Sequence, residues 1–291
     1  MAQGIWFCAF CEVFAFSAFK DSAPLHVDRL PIHMLATILE FPWTDMAWPA
    51  LVVTLGYVAL GLTGFASALI SVPLLAWRWP LVDVVPLVLV MDVVASVLMG
   101  GLNLREVRWG ELRYLGPGML AGGLVGLWLA TRMTSALPLL VLGAYVAWVG
   151  VQALRQRAVP AVAPPPPPPG LGALYGAGVG GVLMLFATGG PLLLAWLARR
   201  GFDARAMRAT TPALIVVAVL MVLGMMAANG RLSSPLMWQR LLVLLPIAVI
   251  GVLVGHALAH RVPVATLRRV ICALLVASGV MLMLNAVNRM L

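Results

Sequence analysis

The chain has 291 residues, of which 63% are hydrophobic and only 10% charged, and its mean hydropathy is +1.03. A soluble domain carries about 25% charged residues, so a water-soluble core is excluded and the lipid bilayer is the expected solvent and partner. The formal charge of +9 falls largely on arginines in the breaks between apolar runs, a pattern of anchoring to anionic lipid and not of nucleic-acid binding.

Residues 1–45 carry no clear span. The apolar run at 5–19 is short and lacks a basic flank, so a signal peptide is not expected. The stretch reads as a dispensable extension, or as an upstream start taken for the true one, with Met34 and Met46 just ahead of the first repeat. Cys8 and Cys11 form a C-x-x-C without a second pair or a histidine cluster, whereas a zinc site needs about four ligands. No metal and no cofactor are expected, and Cys272 reads as a packing residue.

A membrane helix needs about 20 largely apolar residues. Eight segments answer to that, at 47–77, 81–102, 114–131, 136–154, 171–198, 209–228, 238–259 and 265–287. The expected fold is an all-α polytopic membrane protein of about eight transmembrane helices. Eight crossings put both ends of the chain on one side and divide Lys and Arg 10 to 9 between the faces, so the positive-inside rule does not choose an orientation.

Between the fourth and fifth segments lies APPPPPPG, residues 163–170. Six prolines form a stiff polyproline rod. It reads as a spacer, with docking of a proline-binding partner as the alternative. The halves it separates are similar. Shifted by 129 positions, 109–132 matches 238–261 at 11 of 24 residues: 109, 112, 115, 117, 122, 124, 125, 126, 129, 130 and 132. The matches include Trp109 with Trp238, Pro117 with Pro246, Gly122 and Gly126 with Gly251 and Gly255, and Arg132 with Arg261. The expected organisation is therefore an N-terminal extension 1–45, a first four-helix repeat 46–157, a proline-rich linker 158–170 and a second repeat 171–291.

Each repeat opens on an interrupted segment, GLTGFASALISVPLL (61–75) and VGGVLMLFATGGPLLL (179–194), with Pro73 and Pro191 aligned by a shift of 118. Glycine relaxes the backbone and proline removes a donor. In lipid such a break is tolerated only where protein or a watery cavity surrounds it. Matching breaks in two repeats point to a transporter's substrate site, where freed N–H groups and a half-helix N-terminus attract an anion. The candidate substrate-binding residues are Thr63, Gly64, Ser67, Ser71, Pro73, Thr188, Gly189, Gly190 and Pro191. Close helix packing is the plainer use of such glycines.

These paired motifs resemble the signature of the TauE/SafE family of sulfite-exporter permeases, and the resemblance covers roughly 48–287. Gly180, Gly181, Gly189, Gly190 and Pro191 fit the second motif; the first departs from it at Ala66, Ser67 and Ala68, where family members carry further glycines. The resemblance implies a multi-pass plasma (inner) membrane transporter of a small anion, sulfite, a sulfonate or another organosulfur compound.

Asp92 sits in the middle of the 81–102 span, where a carboxylate costs about 2.5–3.5 kcal/mol even on the mild insertion scale. It is a candidate proton-coupling acid, with a hydrogen-bonded structural acid as the alternative. His256, near one end of the 238–259 span, is a second proton-coupling candidate. No H-E-x-x-H, no G-x-S-x-G, no pair of intramembrane acids and no Walker motif occurs, so neither an enzyme nor a direct ATPase is expected. The competing reading is a non-transporting assembly or structural subunit of the membrane. Homo-oligomerisation is left open.

Overall fold

The computed structural model of the chain describes residues 43–64, 66–100, 107–132, 136–155, 168–259 and 264–288. The expected extension 1–45 and linker 158–170 lie outside the described residues, apart from 43–45 and 168–170. The described residues are helical with short turns and contain no strand. The helices are α1 (Trp43–Thr63), α2 (Ser67–Leu75), α3 (Leu81–Gly100), α4 (Leu112–Arg132, after a 3₁₀ turn Trp109–Glu111), α5 (Ala136–Arg155), α6 (Pro169–Phe186), α7 (Gly190–Arg199), α8 (Ala204–Ala228), α9 (Pro235–Leu258) and α10 (Val264–Asn288). Trp48–Leu291 is one compact unit; of the other, Met1–Ala47, only the first turn of α1 is described.

Eight spans were expected; five described helices are long and apolar enough to cross a bilayer: Met46–Thr63, Leu81–Met99, Trp109–Arg132, Thr210–Ala228 and Pro235–Leu258. Leu137–Gln152, Gly170–Phe186 and Cys272–Val287 are apolar but shorter.

The interrupted segments do more than kink. After α1 the chain turns at Gly64, whose φ of +89° suits a residue without a Cβ, and its N–H donates to the Leu60 carbonyl at 2.6 Å. Helix α2 then runs back beside α1. Trp48 Nε1 donates to the Leu74 carbonyl at 3.3 Å, the Trp48 and Trp77 rings meet edge-on at 5.6 Å, and Gly56 faces Ser67 and Ser71. The second segment repeats the reversal. Ala187 takes the left-handed conformation at φ 57°, which costs an L-residue roughly 1–2 kcal/mol. Gly189 then faces Leu183 and Val179, Leu192 reaches Gly178, and Trp196 reaches Gly172 near the start of α6. Each interrupted segment is thus a helical hairpin.

Helix starts align the hairpins by 123 positions, since Ala66 caps α2 and Gly189 caps α7. The expected pairing of Pro73 with Pro191 does not follow that alignment. Pro73 is the seventh residue of α2, whereas Pro191 is the second of α7, where a missing N–H is harmless. Residues able to take positive φ make the turns; the prolines do not.

Small residues bring the helices together. Helix α4 lies along α6, with Gly118 and Gly122 against the Ala173 and Ala177 carbonyls and Gly176 and Gly180 against those of Leu115 and Met119. The numbers rise together, so these helices are parallel. Helix α9 packs on α1 in the same sense, Gly251 on Tyr57 and Gly255 on Val58 and Gly61. Helices α5 and α10 are antiparallel, Gly143 meeting Gly279 and Met283 while Gly150 meets Cys272 and Leu275. Helix α3 packs against α8.

Candidate functional site

The two hairpin tips meet in one cavity. The first supplies Leu60, Gly64, Ser67 and Ala68; the second supplies Leu183, Ala187, Gly190 and Pro191, with Thr188 and Gly189 between. Helix α3 adds Asp92 and Ser96, and α8 adds Ile215. The 123-residue offset between the hairpin helix starts matches five pairs in this lining, Leu60 with Leu183, Gly64 with Ala187, Ser67 with Gly190, Ala68 with Pro191 and Asp92 with Ile215, while Leu69, Ser96, Thr188 and Gly189 have no counterpart in it. The pairs are apolar or backbone-like except where the first half places Ser67 and Asp92. Among the described residues of this lining, Asp92 is the one carboxylate.

Asp92 is buried, 7% exposed. Its Oδ1 accepts hydrogen bonds from the Tyr57 hydroxyl and from Ser67 Oγ, each at 2.8 Å. Two hydroxyl donors replace part of the water that a carboxylate loses on burial. Tyr57 is itself completely buried and also lies 3.4 Å from the Val88 carbonyl. Ser96, one turn beyond Asp92, is buried on the same face.

Helices α2 and α7 both begin at the cavity, and neither first turn has a side-chain cap. The first N–H groups of a helix have no partner inside it, and the helix dipole makes that end positive. Thr188 precedes α7. Its carbonyl accepts from the Tyr145 hydroxyl at 3.2 Å, while its own Oγ1 is buried with no hydrogen-bond partner. A buried hydroxyl left unpaired costs about 1–3 kcal/mol; Ser71 Oγ and Thr211 Oγ1 are buried and unpaired as well, and Thr188 differs from them in lining the cavity, where a ligand could reach it.

The cavity thus gathers Gly64, Ser67, Asp92, Thr188, Gly189, Gly190 and Pro191. It does not gather Thr63, whose Oγ1 donates to the Ala59 carbonyl at 2.7 Å, nor Ser71 and Pro73, buried farther along α2 with Ser71 beside Gly56. His256 is exposed in the last turn of α9, away from the lining. Sequence reasoning missed Tyr57, Leu60, Leu69, Leu183, Ala187 and Ile215. Tyr57 carried a signal, a phenol inside an apolar run, and a buried Tyr hydroxyl usually has a partner. The other five are apolar and carried none.

Two ion pairs lie away from the cavity. Buried Glu111 accepts from Trp196 Nε1 at 2.8 Å and from Arg200 Nη2 at 3.0 Å, tying the start of α4 to the end of α7. Arg240 of α9 lies 3.6 Å from Asp83 of α3 and 4.1 Å over the Trp79 ring. Glu111→Ala is expected to lower stability by about 1–3 kcal/mol, because Trp196 loses its acceptor and the half-buried Arg200 its counter-charge. The measurement is thermal unfolding in detergent, and an unchanged midpoint would make the cluster ornamental.

The family model for the sulfite exporter TauE/SafE family matches residues 50–282. The chain belongs to that family. It is therefore a multi-pass membrane protein of a transporter family, in keeping with its long apolar helices. The "Probable inner membrane transporter protein TsaS" of Comamonas testosteroni is 41% identical over 197 residues, covering 67% of this chain and 81% of that protein. No solved structure matches the chain.

Proposed function

We propose that this TauE/SafE protein is a secondary transporter of the inner membrane that carries a small anion, sulfite, a sulfonate or another organosulfur compound, between its two hairpin tips, with Asp92 coupling the movement to protons. The observation that carries this reading is the convergence of the α2 and α7 N-termini and the unpartnered Thr188 hydroxyl on one cavity. Unsatisfied N–H groups at a helix N-terminus are a general anion site, and matched breaks in two repeats are where transporters hold substrate. Sulfur oxyanions and sulfonates present several acceptor oxygens and no donor when ionised, which suits such a lining. Sulfite comes from the family's description, sulfonates and other organosulfur anions extend it by their shared oxyanion chemistry, and the inner-membrane location comes from the relative's name.

We read the chain as two repeats, 46–157 and 171–291, each a hairpin followed by three helices. Much of the lining pairs across the halves, and the seams cross in the same way, α4 packing on the second hairpin and α9 on the first, each being the second helix after its own hairpin; both support this reading. The matched breaks and the intramembrane acid weigh against a purely structural subunit.

The test is uptake into proteoliposomes from a panel of sulfite, thiosulfate, sulfonates, sulfate and short carboxylates. A protein that moves none of them under any gradient is not the transporter proposed. Thr188→Val sharpens the test. The swap keeps the shape and removes the hydroxyl, so transport is expected to fall at least tenfold while the unfolding temperature holds or rises. A variant that transports normally would remove Thr188 from the site.

A further inference from the structure

We propose that the two hairpins enter the bilayer from opposite faces, α6–α7 from the cytoplasm and α1–α2 from outside, so that each closes the shared cavity toward its own side. The proposal rests on the two-repeat reading and adds its sense: the repeats are inverted.

The ion pairs decide the path. If both interrupted segments crossed the membrane, the end of α7 and the start of α4 would lie on opposite faces, about 30 Å apart. Arg200 and Glu111 are instead 3.0 Å apart. The same count would separate the starts of α3 and α9, yet Asp83 and Arg240 lie 3.6 Å apart. Both contacts follow if each hairpin returns to the face it entered and only α3, α4, α5, α8, α9 and α10 cross: α1 is long enough to span but turns back at Gly64 into α2, whereas α5 and α10, at 20 and 25 residues, have the length to cross although their apolar stretches are shorter. Three crossings in the first half then bring the second hairpin in from the other side. The seams agree without further assumption: α4 is parallel to α6, α9 is parallel to α1, and α5 is antiparallel to α10. Glu111 and Arg240 stand 129 residues apart, at matching places in the two repeats and with opposite charge. Each repeat thus tethers a neighbour at its own face.

This path also settles the charge count that eight crossings left level. By position in the chain, the face of the α6–α7 hairpin carries three arginines between α3 and the first turn of α4. It carries two at and after the end of α5, four from the end of α7 into α8, and three between α9 and the first turns of α10, twelve in all. The opposite face carries Arg78, Arg132, Arg231, Arg240 and Arg289. Lys20 and Arg29, outside the described residues, do not change the order. Short cytoplasmic connections carry the excess of Lys and Arg, so the twelve-arginine face is cytoplasmic.

The experiment places single cysteines at exposed positions, Arg78→Cys, Ser233→Cys and Asp203→Cys, in a full-length background with Cys8 and Cys11 changed to Ser and the buried Cys272 kept. Intact cells are treated with a membrane-impermeant maleimide, and permeabilised cells define full labelling. Positions 78 and 233 are expected to label fully from outside, and 203 only after permeabilisation. Eight crossings would put 78 and 203 together, opposite 233, and would overturn the inverted hairpins. Labelling of 203 alone from outside would keep the hairpins and overturn the orientation. Neither readout depends on transport, so failure of the substrate assignment leaves this test intact.

Discussion

Asp92→Asn is expected to insert and purify like wild type and to lose at least tenfold of the flux driven by a pH gradient. The amide nearly matches the carboxylate in shape and keeps an oxygen to accept from Tyr57 and Ser67, which hold Oδ1 at 2.8 Å. What it cannot do is exchange a proton. A carboxyl group facing a cavity between two hairpin tips can be reached from whichever side opens. Moving one elementary charge against a membrane potential involves about 2.3 kcal/mol per 100 mV, so an anion accompanied by a proton crosses with less electrical work. Substrate protection against thermal unfolding is expected to survive in Asp92→Asn, since the helix N-termini and Thr188 remain. The measurement is pH-driven uptake in proteoliposomes, wild type against variant, at matched protein density. Full pH-driven uptake by the variant would make Asp92 a structural acid and move the coupling elsewhere. Tyr57→Phe, which removes one of the two donors, should give an intermediate loss with a shifted pH profile.

The helices were legible because a bilayer-sized apolar run bounded by arginine is a strong signal, and Asp92 was legible because a charge in such a run is rare. The similarity of 109–132 to 238–261 was legible as Trp, Pro, Gly and Arg recurring in register. The reversal at each break was not. Hydropathy counts residues in apolar surroundings and does not distinguish a helix that continues from one that turns back. That difference lies in one or two φ angles, and at Ala187 the residue takes positive φ against its own preference. The misplaced proline pairing has the same origin: similar Leu-Leu-flanked prolines align as letters at 118, while the helix starts align at 123. Thr188 was a candidate from its motif, but what sets it apart from the equally unpartnered Ser71 and Thr211 hydroxyls is its place on the cavity wall, which exists only once α6, α7 and α5 are packed.

Gly122→Leu is expected to be the most damaging change to the fold. A side chain there would run into the backbone of Ala177, with no flexible neighbour to yield. The whole α4–α6 seam would have to open, because Gly118, Gly176 and Gly180 keep the two backbones close along its length. Overpacking a well-fitted interface costs about 1–3 kcal/mol, and more when backbone must move; against a net stability of about 5–15 kcal/mol, this should cut the yield of monodisperse protein severalfold. Gly255→Leu should do the same, since its side chain would meet the Val58 carbonyl on the α9–α1 seam. The comparison is Gly224→Leu on α8. That glycine is exposed, with nothing within 4 Å of an added Cβ, and replacing it should leave yield unchanged or improve it. The measurement is size-exclusion profile and unfolding temperature of all three in one detergent. If Gly122→Leu and Gly224→Leu behave alike, close helix approach does not hold the hairpins in place, and the pairing of the two tips at the cavity loses its mechanical basis.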